Sequence, residues 1–211
     1  MSNLRLFHLD NIIENTTSLL SKEHTHYVVN VMRLKRGSNL NFFNKSGEWL
    51  SEIVFLDRDR VEVKFLDKIK EPTITSNIEL AICLVKKTPM ETILQKATEL
   101  GVSKIVPIIS DRTEIKELNF ERANKIVIEA TEQSNQMSPP EISKVIKLKN
   151  YIEALESKIL FFADVNSSNK LEPKNFKLGI TNCILIGPEG DFSPSEREQI
   201  LKKRNVISFS L

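Results

Sequence analysis

Residues 182–201 (NCILIGPEGDFSPSEREQIL) combine a strand, a glycine-containing turn and a helix start in one short stretch. The apolar run at residues 183–186 is bounded by turn residues, which is typical of a buried strand. Residues 187–190 (GPEG) break that strand, and we expect their two glycines to adopt backbone angles that other residues resist. Residues 193–196 (SPSE) predict a helix with an N-cap serine, a first-turn proline and a capping-box glutamate.

A glycine turn at the carboxyl end of a parallel strand is where open α/β sheets bind ligands, although a simple tight turn explains these four residues equally well. The sequence contains no GxGxxG, GxxxxGK[ST], HExxH or paired CxxC motif, so the usual dinucleotide, P-loop and zinc signals are missing. His8, His24 and His26 have no cysteine or carboxylate cluster beside them in the sequence, so we expect no metal site.

Composition places the chain among ordinary globular proteins, with 211 residues, 40% hydrophobic and 27% charged. The net charge of +2 means that any nucleic-acid surface must be a local patch. No apolar run approaches the roughly 20 residues of a membrane span, and the first residues lack a signal-peptide core, so we expect a cytoplasmic protein without membrane contact. Cys83 and Cys183 lie in apolar runs, which indicates buried reduced thiols.

The residue pattern of the sequence changes at a polar, proline-containing linker at residues 71–77. Before it, three β-rich runs separated by turn residues predict a small barrel-like β domain over residues 1–70, interrupted by one helix at residues 22–32. The predicted strands are residues 40–44, 49–56 and 60–66.

After the linker, strands and helices alternate over residues 78–211, which favours an α/β domain with a mostly parallel sheet. A capping box at residues 88–91 should open one helix and Gly101 should end it, and a second helix is predicted at residues 120–135. The predicted strands are residues 78–85, 105–109, 142–146, 159–163, 183–186 and 206–209.

Basic residues collect near aromatic residues in the first domain, a mixture that suits RNA because bases can stack and phosphates can pair. A solvated charged face explains the same pattern. The basic residues are Arg5, His26, Arg33, Lys35 and Arg36, and the aromatic residues are Phe7, Tyr27 and Phe42. In the second domain, Glu129 and Gln133 are four residues apart and share a helix face, where they could contact a base edge or belong to an ordinary helix end.

Several short blocks occur in one order along the chain, at residues 26–34 (HYVVNVMRL), 87–91 (KTPME), 98–102 (TELGV), 110–112 (SDR), 129–134 (EATEQS) and 186–190 (IGPEG). Together they resemble the RsmE family of the SPOUT superfamily, bacterial methyltransferases that modify N3 of a uridine in 16S rRNA. The order of the blocks is far more specific than any one of them. The resemblance runs over nearly the whole chain.

The resemblance implies an N-terminal PUA-like β-barrel for RNA and a trefoil-knotted SPOUT α/β domain. It also implies S-adenosylmethionine as methyl donor, 16S rRNA or the small ribosomal subunit as substrate, and a homodimer. The donor site would be formed by Phe162, Ala163, Ile186, Gly187, Pro188, Glu189, Gly190 and Leu211. The polar groups for proton transfer would come from Glu129, Gln133 and Arg112, and RNA contacts from Arg5, His26, Arg33 and Lys87.

The sequence departs from the family pattern at three points. Gln136 replaces a usual arginine, and Asp191 replaces a usual second glycine after GPEG. After residues 206–211 (VISFSL), the family's LG-x-RILR-x-ETA motif and last helix do not follow. We therefore expect a truncated RsmE with an incomplete knot that binds the donor poorly. The alternatives are a non-catalytic RNA-binding protein derived from this family and another SPOUT RNA methyltransferase.

Overall fold

A computed structural model describes residues 4–73, 76–155 and 157–210 of the chain. Within them the chain divides into two compact units. The first contains residues 4–73 and 131–138, and the second contains residues 76–130 and 139–210. Two residues of the predicted linker (74 and 75) and the predicted site residue Leu211 lie outside the described residues.

The first unit contains a five-stranded sheet in the order β1-β3-β4-β5-β2. β1 and β3 are parallel and the other pairs are antiparallel. No ladder among the described residues joins the edge strands β1 and β2, but His8 Nε2 lies 3.3 Å from Ser18 Oγ between them. The strands are β1 (Arg5–Phe7), β2 (Thr17–Leu19), β3 (Asn39–Asn44), β4 (Gly47–Leu56) and β5 (Val61–Lys70).

The helix predicted at residues 22–32 is instead a short α-helix followed by a wider turn. The helix α1 (Lys22–His26) is capped by Ser21, whose side chain accepts a hydrogen bond from the His24 N–H. The chain then continues as a π-helix at Tyr27–Val31, and the Met32 N–H bonds the Tyr27 carbonyl at 2.9 Å. A wider turn of this kind often marks a functional segment. Arg33 follows with a left-handed backbone (φ 52).

The second unit confirms the predicted parallel sheet. All its ladders are parallel, and the strand order is β12-β10-β11-β6-β7, with β8 and β9 each pairing with β7. The strands are β6 (Ile78–Cys83), β7 (Lys104–Ile109), β8 (Glu141–Ile142), β9 (Ile146–Lys147), β10 (Ile159–Ala163), β11 (Asn182–Ile186) and β12 (Val206–Phe209). The helices are α2 (Lys87–Glu99), α3 (Phe120–Gln133), α4 (Leu148–Glu153) and α5 (Pro194–Leu201), with a 3₁₀ turn at Pro173–Asn175.

Helices cover both faces of this sheet. On one face, Leu80 and Ile82 of β6 pack in a cluster with residues of α2 and α3. On the other face, Ala81 and Cys83 of the same strand pack in a cluster with residues of α4 and α5. Alternate residues of one strand are therefore buried on opposite faces, which explains why the strand reads as a continuous apolar run.

The helix α2 ends as predicted but begins differently. Gly101 has φ 81, its N–H bonds the Thr98 carbonyl, and the Val102 N–H bonds the Ala97 carbonyl, which together form a Schellman motif. The predicted capping box at residues 88–91 is wrong, because the helix begins at Lys87 with Lys86 as a cap without a side-chain bond. Pro89 is tolerated in the first turn, where N–H groups have no partner within the helix.

The strand predicted at residues 142–146 is divided into β8 and β9, and Pro107 of the neighbouring strand β7 explains the gap. The carbonyls of Ser103 and Ile105 accept bonds from the β8 side, so residue 107 faces that side as well. Proline has no N–H to donate to a ladder. The pairing consequently stops after Ile105 and resumes at Ile108.

No helix in the described part of the chain is long and apolar enough to cross a membrane. The same residues include no group of three or more His, Cys, Asp or Glu side chains arranged to hold a metal ion. Cys83 and Cys183 are both free and buried, as predicted.

A buried carboxylate, Glu79 on β6, accepts hydrogen bonds from side chains outside this strand. Its oxygens accept hydrogen bonds from the Tyr151 hydroxyl at 2.9 Å and from Lys158 Nζ at 2.8 Å, and Cys183 Sγ lies 3.4 Å away. Burial opposes the charged form of Glu79, but the bonds from Lys158 and Tyr151 hold its pKa below the ordinary value. Burial also raises the pKa of the Cys183 thiol to about 12, so that thiol stays protonated.

Replacing Glu79 with alanine should lower the free energy of unfolding by about 2 kcal/mol, because the buried Tyr151 hydroxyl loses its acceptor and Lys158 loses its charged partner. Urea denaturation of the purified chain measures the change. The control is Glu141→Ala, which removes the exposed partner of Lys104 in a second lysine–glutamate pair and should change stability little. Equal effects of the two substitutions would contradict this role for Glu79.

The pH dependence of the stability difference between the unaltered chain and Glu79→Ala gives a second test. Because folding lowers the pKa of Glu79, its stabilisation is present above the unfolded carboxyl value, about 4.3, and is lost as pH falls through the lower folded value. The stability difference between the unaltered chain and Glu79→Ala should therefore shrink below about pH 4. A difference that stays constant would exclude an ionised Glu79 as its source.

Candidate functional site

The strand order of the second unit places a topological switch between β6 and β11. The chain leaves β6 through α2 towards β7 on one side, and leaves β11 through α5 towards β12 on the other side. Neighbouring parallel strands whose connections diverge leave a crevice at their carboxyl ends, which is where ligands bind in open α/β sheets. The residues of this crevice follow Cys83 and Ile186.

The loop at residues 187–190 follows β11 at this crevice, and the structure corrects the expectation about its glycines. Neither Gly187 nor Gly190 has a left-handed backbone; that angle belongs to Asp191, with φ 58. The Asp191 N–H bonds the Pro188 carbonyl at 3.0 Å and closes the turn. Aspartate tolerates this conformation better than most residues, so Asp191 can occupy the position.

Gly187 is required for a different reason, which is space. A Cβ atom on Gly187 would lie 2.9 Å from Cε2 of the buried Phe192 ring. A Cβ on Gly190 would meet Arg112, with Cδ at 3.8 Å and Cβ at 3.9 Å, which are ordinary contacts. The residue that only glycine can fill without displacing a neighbour is therefore Gly187.

The predicted start of α5 is confirmed. Ser193 is the N-cap and its hydroxyl accepts a bond from the Glu196 N–H, while Glu196 Oε2 accepts a bond from the Ser193 N–H at 2.9 Å. Pro194 occupies the first helical position. This reciprocal capping box fixes where the helix begins relative to the 187–190 loop.

The loop after β7 is bonded to the same region. Arg112 Nη1 donates to the Gly190 carbonyl at 2.8 Å, and the Asp111 N–H donates to Glu196 Oε1 at 2.8 Å. The Ser193 hydroxyl donates to Asp111 Oδ2 at 2.8 Å. Three hydrogen bonds, two between a side chain and the backbone and one between two side chains, thus join the loop after β7 to the segment after β11.

A pair that the sequence analysis missed lies at the end of β10. Asp164 is buried and accepts hydrogen bonds from two nitrogens of Arg197 on α5. Arg197 Nη2 donates to Oδ2 at 2.8 Å, and Nε donates to Oδ1 at 3.1 Å. Hydrogen bonds from Arg197 hold the pKa of Asp164 below its usual range. The sequence showed Asp164 at a strand end, but no local pattern indicated its partner on α5.

The predicted donor-site residues occupy different environments. Phe162 and Ala163 are buried, and the Phe162 ring packs edge-on against Phe192 with centroids 5.5 Å apart. Pro188 is also buried, Ile186 and Gly187 are half-buried, and Glu189 and Gly190 are exposed. The accessible part of this set is therefore the backbone and side chains at the tip of the 187–190 loop.

The three predicted polar residues are all exposed, but the structure does not bond them together. Arg112 contacts the 187–190 loop, as described above. Glu129 lies on α3, as does Arg122. The pKa of Arg122 is raised mainly by its hydrogen bond to Glu91 and, to a smaller extent, by the negative charge of Glu129. No hydrogen bond or ion pair within the described residues joins Glu129 to Arg112. Gln133, at the end of α3, is assigned to the first unit.

Among the predicted RNA-contacting residues, Arg5 is half-buried, and its side chain is held within the first unit with 9% exposure. Its Nε bonds Glu48 Oε2 at 2.9 Å, its Nη2 donates to the Gln136 carbonyl at 2.7 Å, and its guanidinium carbon lies 3.4 Å from the centre of the Phe43 ring. A guanidinium held in this way is not available to an RNA phosphate. The side chains of His26, Arg33 and Lys87 are exposed.

A polar cavity of about 480 Å³ lies at the opposite, amino ends of the strands. Its two lysines, Lys104 and Lys158, are paired with Glu141 and Glu79. The lysine charges of this cavity are therefore neutralised by its own carboxylates, and the crevice at the carboxyl ends is the better candidate site. The remaining lining residues are Ser76, Asn77, Ser103 and Thr181.

Two family models match this chain. Residues 70–211 match the family model of the RNA methyltransferase domain, and residues 20–66 match that of the RNA methyltransferase PUA domain. The chain is 32% identical to the ribosomal RNA small subunit methyltransferase E of Rickettsia conorii, over 98% of this chain and 86% of that protein. It is 29% identical to the Aquifex aeolicus protein of the same name, over 99% of this chain and 91% of that protein.

Solved structures show the same fold. The small subunit methyltransferase E of Neisseria gonorrhoeae, bound to S-adenosyl methionine, superposes with a TM-score of 0.85 at 24% identity, covering 100% of this chain and 89% of that one. A probable rRNA methyltransferase of Porphyromonas gingivalis superposes with a TM-score of 0.80 at 27% identity, covering 97% and 88%. The predicted resemblance is therefore confirmed, and the chain belongs to the RsmE family of ribosomal RNA small subunit methyltransferases, with a PUA domain followed by an RNA methyltransferase domain.

Proposed function

We propose that this chain transfers a methyl group from S-adenosylmethionine to N3 of a uridine in 16S rRNA. The observation that carries the proposal is the exposed tip of the 187–190 loop at the switch between β6 and β11, with Arg112 bonded to the Gly190 carbonyl. Membership in the RsmE family and the names of the relatives support the reaction class.

The loop residues fit a donor of this kind. Glu189 and Gly190 are exposed, so their backbone N–H groups are accessible to a ligand, and the half-buried Ile186 offers an apolar wall. The packing of Gly187 on Phe192 fixes the base of the loop. When bound there, S-adenosylmethionine would supply an electrophilic methyl group carried by a sulfonium.

The acceptor nitrogen sets a further requirement. N3 of uridine carries a proton and is a poor nucleophile until that proton leaves or is shared, so positioning and a proton acceptor provide most of the catalysis. Of the three polar candidates, Glu129 is the group that can accept a proton, because an arginine side chain has only donors. Gln133 can hydrogen-bond a base edge, and Arg112 shapes the donor loop through the Gly190 carbonyl.

The RNA surface that we propose on the first unit contains His26 and Arg33, at the two ends of the π-helical turn, together with Lys35 and Arg36. All four side chains are exposed. Arg5 is left out of this surface because its guanidinium is bound inside the unit. Lys87, exposed at the first position of α2, is a candidate contact on the second unit.

Other expectations from the sequence remain predictions. A homodimer is supported by exposed apolar side chains at Val165, Leu178 and Ile180, which a partner subunit could cover. The knot, the cytoplasmic location and the limits of the linker also stay predictions.

Titration calorimetry should detect binding of S-adenosylmethionine to the chain, and incubation with 16S rRNA or small subunits should place a methyl group at uridine N3. Methylation at N3 blocks base pairing, so the position at which reverse transcription stops identifies the modified uridine. A chain that binds no donor and yields no methylated product would contradict the proposal and favour the RNA-binding alternative.

Gly187→Ala should weaken donor binding by about tenfold or more, because the new Cβ displaces either the loop or the buried Phe192 ring. Calorimetry and thermal unfolding measure affinity and stability together. The control is Gly190→Ala, which has ordinary contacts and no left-handed backbone and should leave stability unchanged. Unchanged affinity in Gly187→Ala would show that the geometry of this loop does not set donor binding.

Arg33→Glu should weaken binding to an rRNA fragment and reduce its salt dependence, while leaving donor affinity unchanged, because a phosphate contact is lost. The matched control is Arg58→Glu, the same charge change in the exposed turn between β4 and β5. RNA affinity measured across salt concentrations compares the two. An equal loss of RNA affinity in both variants would show that the loss comes from the change in net charge, and would exclude Arg33 from the proposed surface.

A further inference from the structure

Glu196 makes contacts that a helix cap alone does not need. Its residue is buried, with 8% exposure, and its two carboxylate oxygens bind backbone N–H groups of two different loops. Oε2 accepts from Ser193 at 2.9 Å, which is the capping box of α5. Oε1 accepts from Asp111 at 2.8 Å, which belongs to the loop after β7.

The second bond determines the position of a residue that touches the candidate site. Asp111 immediately precedes Arg112, and Arg112 Nη1 donates to the Gly190 carbonyl at 2.8 Å. A fixed backbone at Asp111 therefore fixes the starting point of the Arg112 side chain. The connection runs from the Glu196 carboxylate through the Asp111 N–H to Arg112 and ends at the tip of the 187–190 loop.

A carboxylate is the side chain that suits both contacts. It presents acceptors on both oxygens, and its bonds to N–H groups are charge-assisted and therefore stronger than neutral ones. Glutamine at this position would keep one oxygen but turn an amide NH₂ towards one of the two backbone donors. The substitution Glu196→Gln therefore breaks one bond while nearly preserving the shape of the side chain.

We propose that Glu196 is a positioning residue for methyl transfer, which holds the loop after β7 so that Arg112 fixes the donor loop. The inference rests on the proposed function, because it assigns the 187–190 loop to the donor. The bond that caps α5 and the bond to the loop after β7 use different oxygens of Glu196.

Glu196→Gln should bind S-adenosylmethionine about tenfold more weakly than the unaltered chain, as expected for one lost charge-assisted hydrogen bond. The matched control is Glu198→Gln on the same helix, whose exposed carboxylate pairs with Lys202 and does not contact the loop. Thermal unfolding of both variants is measured beside calorimetry. If the unaltered chain binds and the two variants bind equally well, the inference is overturned while the proposed function stands. If the unaltered chain does not bind, both are overturned.

A double-mutant cycle with Arg112→Met distinguishes positioning from general stability. If Glu196 acts through Arg112, the double variant should bind the donor no more weakly than the weaker single variant. Losses of affinity that add independently would overturn the inference.

A measurement on the unaltered chain covers the case in which Glu196→Gln does not fold. Hydrogen exchange at the Asp111 amide should slow when S-adenosylmethionine binds, because the donor and Glu196 then stabilise the same loop arrangement. An exchange rate that does not change on donor binding would overturn the inference.

Discussion

The parallel pairing of β6, β7, β10 and β11 is the constraint on which the candidate site depends. Parallel strands direct all their carboxyl ends to one edge of the sheet, so loops that are far apart in the sequence meet there. The same pairing requires helices on both faces, and apolar clusters with α2 and α3 on one face and with α4 and α5 on the other bury most residues of these strands. The loops are thus held by a rigid support.

Three buried carboxylates in the second unit lie at different ends of the sheet, one away from the candidate site and two beside it. Glu79 lies near the amino ends and is satisfied by Lys158 and Tyr151, so it links β6 to neighbouring elements of the unit. Asp164 and Glu196 lie at the carboxyl ends, where one binds Arg197 and the other binds two backbone N–H groups. Each buried charge is compensated, but only the latter two connect loops at the edge where a ligand would bind.

Local patterns predicted the elements whose signals are contiguous. The strands at residues 159–163 and 206–209 are found at the predicted limits, Gly101 ends α2, and the start of α5 follows its capping box. The three-residue strands β1 and β2 and the short helix α4 were missed, because so few residues show no period. The contacts of Arg5 with residues 131–137, and of Asp164 with Arg197, could not be read from the sequence, since nothing local to either residue indicates its partner.

The turn after β11 illustrates why a motif can be recognised while its physical reason is misjudged. The sequence suggested that both glycines of GPEG serve backbone freedom, yet the left-handed angle falls on Asp191 and the steric requirement on Gly187. The substitution of aspartate for the family's usual glycine is therefore compatible with the turn, and the Asp191 carboxylate also accepts a bond from the Phe192 N–H at 2.8 Å. Because that bond and the packing of Phe192 on Gly187 involve the same residue, Asp191 helps to hold the ring against which the loop rests. The Asp191 carboxylate thus gives the loop a contact that a glycine at this position would lack.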